Sequence, residues 1–156
     1  MEIDSETQEY RDFDWFCVDG AGEIGHFTTA GFKRLPASVA VSAEDLELVT
    51  GFFERSLPVR CAHAIDELTS VFPNPKDRGP AYLRDFCNMA DRGLFSFDIA
   101  TYPEPGISYF RVSTPLAPIR LTELPDPIQA IVGRTVLKGR LLHESRKIPY
   151  EDTLAM

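Results

Sequence analysis

Asp12-Phe13-Asp14-Trp15-Phe16-Cys17-Val18-Asp19-Gly20-Ala21-Gly22-Glu23-Ile24-Gly25-His26-Phe27-Thr28-Thr29 is the stretch from which the fold is read. Phe13, Trp15 and Cys17 alternate with Asp12, Asp14 and Phe16, which is the two-residue period of a strand. Asp19-Gly20-Ala21-Gly22-Glu23 is turn-rich, and Ile24 to Thr29 resumes with β-branched and aromatic residues. Residues 12–29 therefore read as a β-hairpin. A two- or four-residue loop gives a register in which Cys17 faces His26, Phe16 faces Phe27 and Trp15 faces Thr28. A three-residue loop breaks that pairing.

Outward from the hairpin, the helical signals come next. Ser42, followed by Glu44 and Asp45, caps a helix whose stripe is Leu46, Val49 and Phe53 and which ends at Leu57-Pro58. Gly79-Pro80 opens a second helix, with Leu83, Phe86, Cys87 and Ala90 at helical spacing and Gly93 as its left-handed cap. Residues 61–71 are expected to be helical, 38–41 extended, and Asp126-Pro127 to start a short helix through Val132. Strands are expected at 94–101 and 107–113, forming a second hairpin, and at 135–142. The expected fold class is α+β: a mainly antiparallel sheet built from two hairpins, with helices packed on one face. One domain spans residues 1–156, with 1–9 and 149–156 loosely ordered.

Charge is concentrated at one end. Of the chain's net −8, −7 lies in the first 23 residues, where eight acids face Arg11 alone. Residues 134–147 are locally basic, at +4. A negative field repels nucleic-acid phosphate and attracts a basic partner. No run approaches the roughly 20 apolar residues that span a bilayer. Met1-Glu2-Ile3-Asp4 lacks the basic and apolar regions of a secretory signal, and Cys17, Cys61 and Cys87 are odd in number and irregular in spacing. Both point to a cytoplasmic protein with reduced thiols.

Candidate chemistry is sparse. In the two- or four-residue-loop register, Cys17 and His26 form a cross-strand pair that could serve a thiol-dependent enzyme, although a buried cysteine beside Trp15 is the commoner outcome. Cys61-Ala62-His63 with Asp66 and Glu67 lacks a second cluster at zinc spacing. Asp12-x-Asp14 with Asp19-Gly20 does not match a calcium loop. No metal or cofactor is expected. The hairpin carries apolar residues on both faces, so it needs cover from helices or from a second copy of the chain.

The stretch from Phe13 to Gly31, and Ala90-Asp91-Arg92-Gly93-Leu94-Phe95-Ser96-Phe97-Asp98, resemble segments of small bacterial proteins, some of them similar to toxin-neutralising immunity proteins. The resemblance covers about a fifth of the chain. It implies stoichiometric binding by a compact cytosolic protein, and it transfers no residue role. The functional expectation is a non-enzymatic domain that docks a basic protein, a toxin in the immunity case. Asp12, Asp14, Asp19 and Glu23 would supply charge, with Trp15 and Phe32 as aromatic anchors.

Overall fold

The first hairpin forms, one residue out of the expected register. The computed structural model describes residues 1–31, 33–100 and 107–156. Strands β1 (Asp14–Asp19) and β2 (Ile24–Thr28) pair antiparallel, with Trp15 opposite Phe27, Phe16 opposite His26 and Cys17 opposite Gly25. The loop is the three-residue Gly20-Ala21-Gly22, and Gly22 has a φ of +79°, a conformation that favours glycine. The Asp19 carboxylate selects it: Oδ1 accepts from the backbone N–H groups of Ala21 and Glu23, both at 2.9 Å. Because side chains alternate, a one-residue slip puts Cys17 and His26 on opposite faces.

The second hairpin, β4 (Phe95–Ala100) and β5 (Ser108–Pro115), is antiparallel as expected; its tip lies outside the described residues. The sheet as a whole is mixed. β4 lies parallel to β2, and β6 (Val136–Leu137) parallel to β1. Between β2 and β4 the chain crosses the sheet through helices, the kind of connection that parallel strands require. The strand order is β3-β5-β4-β2-β1-β6, where β3 is His63–Ile65, and β7 (Lys147–Pro149) shares the outer edge of β5 with β3.

The capped helices stand where their signals put them. In α3 (Ala43–Gly51), Ser42 Oγ accepts from Asp45 N–H at 3.1 Å, and the helix runs on as a π-helical turn, Phe52–Ser56. Two others are α4 (Pro80–Asp91) and α5 (Asp126–Val132). After α4, Gly93 has a φ of +98°, and a Cβ there would come within 2.7 Å of Ile119 N.

Three further expectations are corrected. Residues 37–40 form a short helix, α2 (Ala37–Ala40), in which Val39 and Ala40 N–H both reach Pro36 O. Residues 61–71 are not helical, because the backbone around β3 pairs with β5 and Asp66 is held by Arg111. The strand expected at 135–142 shrinks to two residues, since Gly139 turns the chain at a φ of +72°. Each end of the chain carries a short helix. At the front is α1 (Ser5–Tyr10), capped by Asp4, and at the back α6 (Tyr150–Leu154), with Ile3 and Ile148 buried.

The sheet is covered on both faces. Helices α3, α4 and α5 pack on the face carrying Phe16, Val18 and Ile24 and on the neighbouring Phe110 and Val112. The other face buries Trp15, Cys17, Phe27 and Phe97 beneath α2, Ile3, Leu142 and Ile148. One chain thus supplies the cover that the two-sided hairpin needs.

Candidate functional site

On the helix-covered face, a polar strip separates the two apolar clusters. Asp14 lies opposite Thr28 across β1 and β2, and His26 opposite Ser96 across β2 and β4. Alternation carries Asp98 to the same face as Ser96. α4 overhangs this strip with Tyr82, Phe86 and Met89, and the π-helical turn closes one side with Glu54. The result is an open recess of about 510 Å³.

The floor is built around His26, which is 2% exposed. Its Nδ1 lies 2.6 Å from Ser96 Oγ. Its Nε2 is 3.3 Å from Asp14 Oδ1, yet oriented so that it makes no hydrogen bond, which leaves a buried ring nitrogen unpartnered. Tyr82 O–H donates to Asp98 Oδ2 at 2.7 Å, Ile99 N–H donates to Asp98 Oδ1 at 2.8 Å, and Thr28 O–H donates to Asp12 Oδ1 at 3.0 Å.

These surroundings move the two central carboxyls apart. Burial acts to raise Asp14, but contact with the His26 ring and the Thr28 hydroxyl outweighs it and leaves the group below its ordinary range. Burial dominates at Asp98 and raises it, despite the Tyr82 and Ile99 donors. Burial and the adjacent Asp98 also push the Tyr82 hydroxyl up, so it remains a donor. The recess thus holds one carboxyl kept ionised and one pushed toward its protonated form. Of the other candidate nucleophiles among the described residues, Ser96 is fully buried behind His26, and Cys17 is on the other face.

A second concavity of about 600 Å³ adjoins the first and shares Asp12, Asp14 and Glu54 with it. Together the two are lined by eight carboxylates and three guanidinium groups. Arg92, at the recess, turns its guanidinium to the carbonyls of Leu57 and Asn88. Basic groups of 134–147 pair elsewhere, Arg134 with Asp45 and Arg140 with Asp152. Within the groove Arg55 lies 3.8 Å from Glu54 and the Met1 ammonium is held by Glu44, so the carboxylates stay in excess among the described residues.

Only part of the expected docking set lies here. Asp12, Asp14 and His26 line the recess. Trp15 is completely buried, stacked on Phe27 at 4.3 Å between ring centroids. Asp19 is buried as a clamp, its Oδ2 accepting from Leu142 N–H at 2.9 Å. Glu23 is buried, with Oε1 2.9 Å from His143 Nδ1. These three cannot dock a partner on the folded chain. Phe32 lies outside the described residues. The Cys17–His26 pair does not exist: Cys17 faces the opposite core, and burial pushes its thiol far up.

Sequence reasoning missed Glu54, Tyr82, Asp85 and Asp98. The alternation of Ser96 and Asp98 against Phe95, Phe97 and Ile99 was the available signal for the last. One further cluster, Asp19, Glu23 and His143, brings its ligand atoms within 4.8 Å of one another, but Asp19 is occupied by backbone N–H groups and Glu23 by the His143 ring. Among the described residues, no helix is long and apolar enough to cross a membrane. Comparison with protein-family models, curated proteins and solved structures finds no match.

Proposed function

We propose that this chain is a non-enzymatic binding domain that docks a basic protein in the acidic groove, in the stoichiometric manner of immunity proteins. The observation carrying this reading is the continuity of the two concavities through Asp12, Asp14 and Glu54, with carboxylates far outnumbering guanidinium groups. A predominantly acidic groove speeds the encounter with a basic surface and disfavours phosphate backbones. Its span exceeds what one small ion needs, which favours an extended partner surface.

The test uses Asp12→Asn, Glu54→Gln and Asp85→Asn combined. All three residues are exposed, so the triple variant should fold. A partner captured from the native host is purified and titrated against both forms of the chain. The expected partner is basic, binds less tightly as salt rises, and loses about tenfold or more in affinity for the variant. A partner of acidic or neutral character, or one bound equally by both forms at every salt concentration, overturns the reading.

A further inference from the structure

We infer that the recess over His26 receives one arginine side chain of the basic partner, an inference that rests on the groove reading above. Three features of the recess converge on a guanidinium. The first is the unpartnered Nε2 of His26, nine-tenths buried and lining the recess. When Nδ1–H donates to Ser96 Oγ, the tautomer expected once the guanidinium is bound, Nε2 offers a lone pair to an incoming N–H. Buried polar atoms ordinarily find hydrogen-bond partners, and no protein group supplies one to this nitrogen among the described residues.

The second feature is the spacing of acceptors. Asp14 and Asp98 stand on different strands, with β2 between them, so they approach a bound ion from two directions. A guanidinium has five N–H groups in a rigid plane and can meet separated carboxylates together; an ammonium is a point charge on a flexible stem.

The third is the wall. Tyr82 and Phe86 present rings 5.3 Å apart between centroids, and Phe86 lies 6.2 Å from the His26 ring. A flat cation stacks on aromatic faces while its edge meets carboxylates. Glu54 and Asp85 at the rim, each 3.8 Å from the exposed arginine beside it in sequence, Arg55 and Arg84, exchange these weak surface pairs for neighbouring basic residues of the partner.

The experiment titrates N-acetyl-arginine amide, and separately N-acetyl-lysine amide, into the protein while following the ring nitrogens of His26 by NMR. The expected result is a saturable shift with the arginine probe, at least about fivefold weaker binding of the lysine probe, and movement of His26 to the Nδ1–H form. Asp14→Asn and Asp98→Asn should each weaken the arginine probe about tenfold or more, and the exposed Glu151→Gln should not. Asp98→Asn is the safeguard if Asp14→Asn disturbs His26 itself, and an unshifted Trp15 indole signal verifies the fold of each variant. Equal affinity for the two probes, or arginine binding undiminished in both variants, overturns the inference. Partner binding that survives Asp14→Asn and Asp98→Asn but falls in the triple rim variant overturns the arginine pocket and leaves the groove standing. Partner binding unchanged in every variant overturns both.

Discussion

His26 Nδ1 stands 2.6 Å from Ser96 Oγ, across a parallel strand pairing that also sets their Cα atoms opposite each other. Ser96 is fully buried and does not line the recess, so its part is to hold the imidazole that does. Ser96→Ala should leave Nδ1 buried without a partner and lower stability by about 1–3 kcal/mol. Urea unfolding measures that loss. The same variant should broaden or shift the His26 ring signals in the folded protein, which a packing defect elsewhere would not do.

Trp15 is the only tryptophan in the chain, and its Nε1–H donates to Tyr109 O–H at 3.3 Å inside the core. Its fluorescence should be blue-shifted in the native state and shielded from iodide. Binding of a basic partner should leave that emission unchanged, because the ring is walled off from the groove. Trp15→Ala should cost about 3–5 kcal/mol.

What the sequence disclosed depended on whether the deciding interaction was local. The helix at 80–91 was legible because Pro80 and Gly93 punctuate it, and the cap at Ser42 was legible from one side chain and the acids after it. The existence of the hairpin was legible from alternation, but its register was not. Loop length there follows from the Asp19 carboxylate, whose other oxygen binds Leu142 more than a hundred residues away. Residues 61–71 carried helical spacing that long-range pairing with β5 overrode. The site was half legible for the same reason. Asp12 and Asp14 stood out as charge in a strand, whereas Asp98 and Tyr82 join them only through the parallel β2–β4 contact and the overhang of α4. Asp19 and Glu23 looked like surface charge until the C-terminal segment folded over them.

Cys17 should be inert to thiol reagents until the protein unfolds globally. It is fully buried, and burial, with Asp19 nearby, pushes its thiol well above the usual range. Cys61 is half-buried, its Sγ contacting Ala90 O at 3.4 Å, and should label first. Cys87, whose thiol burial also raises, should follow more slowly. Mass spectrometry of timed labelling reactions at mildly alkaline pH checks the order. Early labelling of Cys17 would contradict this arrangement of the hairpin.

Arg111 ties the sheet to the C-terminal segment. Its Nε and Nη2 meet the two oxygens of Asp66 at 2.6 and 3.3 Å, while Nη1 donates to the carbonyls of Leu142 and His143, each at 3.0 Å. Both partners of this ion pair are largely shielded from solvent. Arg111→Met should cost about 3–5 kcal/mol, because Asp66 would be left buried and unpaired. Arg111→Met with Asp66→Leu should recover part of that loss, since no uncompensated charge remains. Chemical denaturation of the single and double variants separates the two effects.

Asp14 and Asp98 should give opposite signatures in the acid dependence of stability. The folded-state value of Asp14 lies below the ordinary 3.8, so its stabilising contribution is present above 3.8 and is lost as pH falls through the lower, folded value. Asp98 is raised in the folded state. Its ionisation therefore opposes folding at neutral pH, and this penalty is relieved as pH falls through the raised value toward 3.8. Asp98→Asn should then leave the melting temperature at pH 7 unchanged or higher and flatten the curve in the interval just above 3.8. Asp14→Asn should lower the melting temperature at pH 7 and flatten the curve below 3.8. Both should weaken the arginine probe, so the pair separates ligand recognition from stability: a variant that gains heat resistance while losing affinity marks Asp98 as a charge kept for binding, held in the fold by the Tyr82 hydroxyl at a cost to stability.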